Sequence, residues 1–253
     1  PIAATQMLPA TWSNAGFGVF GKDYNKDWMF GYEAYLSGNF DNTIIDNAEN
    51  KTFLPAAKNN KERFEEMNSG LPLLTTKIAV RNNKIGELGI SYMGGVYNKF
   101  EDDGLQLDDK RRVDVFAIDF NTTLSKLNTF IIAEWAWIKV NVPSTFTQQY
   151  GNKQQGGFVD IVQPLIKKKM MGWPNATLNL ACRFEYVDWN KGTFTSTGGN
   201  IADDLWSIMP AVSFRPTAQT VLRLNYRHQS QKDLLGNPPA KTGGFSFGIS
   251  TYF

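Results

Sequence analysis

The chain has 253 residues, of which 42% are hydrophobic, 13% aromatic and 20% charged. With 26 Lys and Arg against 24 Asp and Glu, the formal charge of +2 supplies no field to collect nucleic acid by bulk attraction. One cysteine, Cys182, and one histidine, His228, exclude an internal disulfide and a four-ligand Cys/His zinc centre.

No run of about 18 apolar residues is present, and Glu134 interrupts the longest candidate, Phe130 to Ile138, so no helix is expected to cross a bilayer. Pro1 is preceded by neither an initiator Met nor a signal peptide, which predicts a processed or truncated product. A moderately polar, aromatic-rich chain still suits a membrane if its apolar residues take every second position, because window averages erase that pattern.

Alternation begins early. Trp28, Phe30, Tyr32, Ala34 and Leu36 are interleaved with Met29, Gly31, Glu33 and Tyr35, a period of two that predicts a strand. Leu88, Ile90, Tyr92, Gly94 and Val96 alternate with Glu87, Gly89, Ser91, Met93 and Gly95. Further along, Leu178, Leu180, Cys182, Phe184 and Tyr186 alternate with Asn179, Ala181, Arg183 and Glu185. Leu222, Leu224 and Tyr226 do so with Arg223, Asn225 and Arg227. Strands are expected at 13–22, 28–38, 74–82, 86–98, 112–120, 128–140, 156–166, 176–189, 204–214, 219–230 and 243–253. That makes about eleven, most about ten residues long, the length that a tilted strand needs to cross hydrocarbon.

The expected connections alternate. Links 23–27, 83–85, 121–127, 167–175 and 215–218 are short, while 39–73, 99–111, 141–155, 190–203 and 231–242 are long and polar. Short turns at one end and long loops at the other predict an all-β, antiparallel transmembrane barrel of the outer-membrane type, one domain over 1–253. A soluble sandwich is the competing fold, but its charges would not share a face with Gly and Ser. Trp28, Trp137, Tyr186, Trp189, Trp206 and Tyr252 stand at strand ends and suit interfacial girdles.

The last strand, Phe245-Ser-Phe-Gly-Ile-Ser-Thr-Tyr-Phe253, resembles the carboxy-terminal assembly signal of bacterial outer-membrane barrels. The stretches Ala181-Cys-Arg-Phe-Glu-Tyr-Val-Asp-Trp-Asn190, Thr220-Val-Leu-Arg-Leu-Asn-Tyr-Arg227, Asp233-Leu-Leu-Gly-Asn-Pro-Pro239 and Gly31-Tyr-Glu-Ala-Tyr35 resemble the phosphate-selective porin O and P family. The resemblance implies a sixteen-stranded trimeric channel in the bacterial outer membrane, with about five strands ahead of Pro1. Orientation follows, with the carboxy terminus and short turns periplasmic, the long loops extracellular, and residues 1–12 the tail of an extracellular loop. The family's selectivity residues do not map onto this sequence.

The face opposite the oily residues carries Lys77, Arg81, Arg183, Arg223 and Arg227 as candidate solute-binding cations, with Glu33, Glu87, Asp119, Glu134, Asp160 and Glu185 among them. Five bases against six acids leave that wall near neutral. Arg183, Arg223 and Arg227 either form a ladder for phosphate or carboxylate groups or, the commoner arrangement, cross-brace the barrel with Glu185 and its neighbours. Loop 39–73 is a lid, a constriction, a partner surface or, most ordinarily, a solvated extracellular loop, with a short helix expected at 59–68.

Chemistry is not expected. Gly244-Phe-Ser-Phe-Gly248 matches a hydrolase pattern, but Ser246 lies in a strand, not at a strand-to-helix turn, and His228 precedes it on the opposite face. Asp23-Tyr-Asn-Lys-Asp27 has Trp28 and Ala34 where a calcium loop needs Gly and Glu, so it is a turn. Cys182 reads as a small lipid-facing hydrophobe. The expected function is therefore passive diffusion of small hydrophilic solutes, anions such as phosphate among them, with no enzyme activity, metal or cofactor. The alternative is a structural or accessory barrel in a larger envelope complex that binds partners through its long loops.

Overall fold

The computed structural model describes residues 2–9, 11–146, 151–194 and 197–252. Eleven strands form one antiparallel meander: β1 (Gly16–Asn25), β2 (Trp28–Ser37), β3 (Leu73–Asn82), β4 (Gly86–Val96), β7 (Arg112–Leu124), β8 (Thr129–Val140), β9 (Lys153–Met170), β10 (Trp173–Asp188), β11 (Asp204–Arg215), β12 (Thr220–Gln231) and β13 (Ala240–Thr251). Two further strands, β5 (Glu101–Asp102) and β6 (Leu105–Gln106), make a small hairpin inside the loop between β4 and β7. The remaining elements are a single π-helical turn at Ala3–Met7 and two 3-10 turns at Asn42–Ile44 and Leu54–Asn59.

Each strand of the meander pairs with the next in sequence, and the outermost, β1 and β13, make no contact with each other. Registers are continuous except for shifts at Trp173/Ala176 and Leu178/Asn179, in the turn-proximal part of the β9–β10 pairing, so parity carries across the rest of the sheet. Tyr32, Ile78, Ile90, Ile118 and Trp135 lie in one row on one face. That outer face is apolar and uncovered: Ile78 is 64% exposed and Phe247 65%. In water such a surface, running from Val19 on β1 to Ile249 on β13, is far larger than a soluble monomer tolerates. A soluble sandwich would lay a second sheet over it, and among the described residues there is none.

The long-loop half of the other, inner face is also apolar, but it is covered. Leu73, Val113, Ala136, Ile138, Val140, Val187 and Leu205 pack with Ile2, Met7, Phe40, Ile44, Leu54 and Tyr97 in one cluster. Loop 39–72 therefore folds inward over the sheet, and the ordinary expectation of a solvated loop is corrected. Polar anchors fix its path: Asn39 donates to the carbonyls of Val96 (2.8 Å) and Leu71 (3.1 Å), and Gln154 donates to that of Thr52 (2.8 Å). Asp41 accepts from Thr43 and Asn60.

The short helix expected at 59–68 is absent. Pro55, at the start of the 3-10 turn Leu54–Asn59, moves the helical segment upstream, and 61–65 form turns. Trp189 is not in a girdle either, because it is 5% exposed and belongs to the inner cluster.

All five short turns lie at one end, as expected. One of the two-residue turns, Met171-Gly172, has φ of 50° and 87°, the left-handed pair that a two-residue hairpin needs, and it lets β9 and β10 run past the expected link 167–175. Asp23–Asp27 is likewise part strand, with only Lys26 and Asp27 in the turn.

Leu54 has no exposed surface in the inner cluster. Leu54→Ala is expected to cost about 2–5 kcal/mol, read as a lowered denaturant midpoint in detergent, with faster proteolysis within 39–72.

Candidate functional site

Register decides which charges share the inner face. Lys77, Arg81, Arg183, Arg223 and Arg227 all lie on it, as do Glu33, Glu87, Asp119, Glu134, Asp160 and Glu185. They occupy a band between the apolar cluster and the turns, and Glu185, at the edge of the cluster, is buried there.

Near β3, Lys77 Nζ lies 2.8 Å from Asp119 Oδ2, reaching across β4 above Gly89. Gly89 is what permits it, since a Cβ there would meet the Asp119 carboxylate at 2.3 Å. Glu134 stands beside Asp119 in register. Toward β1 a recess of about 170 Å³ is lined by Lys22, Glu33, Lys77 and Glu87.

Two of the three arginines on β10 and β12 are committed to carboxylates. Arg183 forks onto Asp160 through Nε (2.6 Å) and Nη2 (2.5 Å), and its guanidinium sits 5.1 Å from the Phe158 ring centroid. Arg227 Nη2 donates to Glu185 Oε2 at 2.8 Å. Glu185, only 1% exposed, also accepts from Ser207 Oγ (3.0 Å) and, through Oε1, from the backbone N–H of Ile2 (3.0 Å). This one carboxylate thus joins β10, β11 and β12 to the inward-lying segment that begins at Ile2. A buried charge is sustained only by several such donors.

The ladder is therefore mostly a brace. Arg223 differs: it is exposed and, among the described residues, has no ion pair, as is also true of Arg81. Arg223 and Arg183 border a recess of about 90 Å³ with Asn225 and Met209. Beyond it, Asn225 donates to Ser246 Oγ (2.8 Å) and Asn179 to Ser213 Oγ (3.3 Å). Ser246 faces inward, whereas His228 faces outward with its ring 5.6 Å from that of Trp206, so they form no dyad.

Sequence reasoning passed over Lys22, Ser207, Asn39 and Gln154. The sequence signal for the last two is the apolar content of 39–73 itself, since Phe40, Ile44, Ile45, Leu54, Ala56 and Ala57 are too many for a loop that stays in water.

In the loops, the Arg111 guanidinium holds the Asp108 carboxyl below its usual range through contacts of 2.7 and 2.8 Å. Burial pushes Asp203 the other way, against a hydrogen bond from Asn190 (2.7 Å).

No protein-family model matches the chain, and no curated protein does either.

Removing Glu185 leaves Arg227 and the Ile2 amide without their acceptor. Glu185→Ala is expected to cost about 3 kcal/mol, read from the denaturant midpoint, and to expose 2–7 to protease, while Glu33→Ala changes neither. For Asp203 the folded pKa lies above the unfolded value of about 3.9, so its stabilisation is complete below that pH and is lost as pH rises through the folded value. Protection factors of the Trp189 and Asp203 amides are expected to fall over that window, and Asp203→Asn to level them.

Proposed function

We propose that the chain forms part of the wall of a water-filled channel in the bacterial outer membrane, through which small hydrophilic solutes diffuse passively. The observation that carries the reading is the contrast between the faces of one sheet. The outer face exposes large apolar side chains from β1 to β13, and the inner face carries the eleven candidate charges in a band that, the buried Glu185 apart, is open to water. Hydrocarbon suits the first and a lumen the second.

The edges β1 and β13 carry unpaired backbone groups, and in hydrocarbon each costs several kcal/mol unless another strand pairs with it. Further strands of the same protein close the barrel in this reading, as the resemblance to the phosphate-selective porin O and P family implies, along with trimers. Outer-membrane lipid and solutes are then its partners. Passage needs no cofactor and no catalytic group. Inward-folded 39–72 and the Ile2–Met7 segment narrow the long-loop end, and solutes pass next to the band of pairs. Fixed pairs cancel one another, and the candidate charges left without an ion pair among the described residues are Arg81 and Arg223 against Glu33, Glu87 and Glu134, so the band as a whole favours neither sign and anions such as phosphate meet positive charge only locally, at Arg223 and Arg81.

The accessory-barrel reading draws on one observation, the apolar cluster that fills the long-loop half of the inner face. Bilayer conductance separates the two: the channel predicts stepwise currents, the plugged barrel none. A unit charge about 4 Å from an ion is worth about 1 kcal/mol in water, and Arg223→Glu changes the charge by two units with opposite sign for the two ions, so it is expected to lower the chloride-to-potassium permeability ratio at least about fivefold. An unchanged reversal potential would remove Arg223 from the path.

A further inference from the structure

The outer face is not uniform. On β7 to β10 it holds a groove of about 250 Å³, bordered by Phe120, Ala133, Val159 and Phe184 and almost free of polar surface. Above it, toward the long loops, Trp135 and Tyr186 stack face to face with ring centroids 6.0 Å apart and planes at 6°. They meet across Gly157, which stands between them in register and whose missing side chain admits the indole. One step further, Trp137 packs on Phe116.

Directly above those rings three lysines gather. Lys139 on β8 and Lys153 on β9 are register partners on the outer face, both exposed, and Lys191 reaches the neighbouring Gln155 at 3.2 Å. Like charges directly opposite each other on a sheet repel. Two carboxylates stand nearby: Asp114, the register partner of Lys139 on β7, accepts from the Tyr92 hydroxyl (2.6 Å) and Arg112 (3.2 Å), and Asp188, within electrostatic reach of Lys191, accepts the Asn190 amide (3.1 Å). None of the three lysines has an ion pair among the described residues.

The geometry points to a binding site for one phosphorylated lipid of the leaflet on the long-loop side, its phosphate on Lys139, Lys153 and Lys191 and an acyl chain laid down the groove. Dimensions agree with this. From Lys139 to Ala133 is six residues, roughly 20 Å along the strand and less along a tilted membrane normal, against roughly 15 Å of hydrocarbon in one leaflet. The lysines therefore stand at headgroup level when the groove lies in the acyl region, with the stacked aromatics at the boundary. A zwitterionic lipid would leave the lysine repulsion uncompensated, and a free phosphate would leave the groove without a ligand. The inference rests on the outer face meeting lipid.

The test uses the whole protein, with the strands that close its barrel, in phosphatidylcholine vesicles doped with diphosphorylated lipid A or its dephosphorylated form, followed by detergent release and native mass spectrometry of the retained lipid. The expected result is retention of the phosphorylated form at least tenfold over the other. Lys139→Gln/Lys153→Gln/Lys191→Gln abolishes that preference, and Val159→Trp, which fills the groove from an exposed position, lowers retention of both forms. Equal retention by the wild-type chain and the triple variant overturns the site. So does complete displacement by inorganic pyrophosphate with no effect of Val159→Trp, which would mean an anion site without an acyl groove. A whole protein that fails to enter vesicles at all removes the membrane reading itself, whereas one that inserts and shows no lipid preference removes only the site.

Discussion

The backbone ladder is the constraint on which everything else in this protein depends. From β1 to β13 it passes from strand to strand in consecutive order, so every inner strand satisfies its N–H and C=O groups on both sides. That frees the side chains of one face from any need for polar company, and the sequence uses the freedom to make that face oily. The same ladder forces the intervening residues onto the opposite face, where Lys77, Asp119, Asp160, Arg183, Glu185 and Arg227 meet. A one-residue slip in any strand would send its charges to the oily face, so register fixes the character of both faces together.

The inner face divides by chemistry. Toward the long loops its side chains are Val, Ile, Leu and Ala, and they are covered by chain that folds in from 39–72 and Ile2–Met7. Toward the turns charged and amide-bearing side chains are interspersed with small or apolar ones such as Ala79, Ala181 and Met209. Glu185 sits at the border, and its four described partners come from different parts of the chain. One buried carboxylate thus couples the wall to the segment that narrows it. Neighbouring ion pairs of both signs keep the wall rigid without giving it a strong net field.

Most of the wall was legible in the sequence, because a period of two survives whatever packs around it. The eleven expected strands match the meander, and every candidate charge has the expected face. Ends were less legible: β9 and β10 run to Met170 and Trp173 because Met171 takes a left-handed conformation beside Gly172, a choice that residue type does not announce. The inward fold of 39–72 was hidden because its apolar residues follow no period, so their burial depends on a partner surface supplied by strands far along the chain. Pairing of Arg227 with Glu185 was only half visible. Parity puts both on one face, but the contact spans β10 to β12 across β11 and needs the strands in space. Phe253, which ends the carboxy-terminal signal, lies outside the described residues.

The central claim is that adjacent residues of one strand face lipid and water, and Cys182 and Arg183 test it directly. Cys182, the single cysteine, lies on the outer face next to Ile161 and Pro210, and Arg183 on the inner face between Asp160 and Met209. A spin label on Cys182 in vesicles, compared with one at position 183 in a Cys182→Ser, Arg183→Cys chain, reads both environments. The account predicts that the first label collides with oxygen dissolved in the bilayer and is shielded from a water-soluble nickel chelate, and that the second reverses this. Equal access of the chelate to both positions would contradict it.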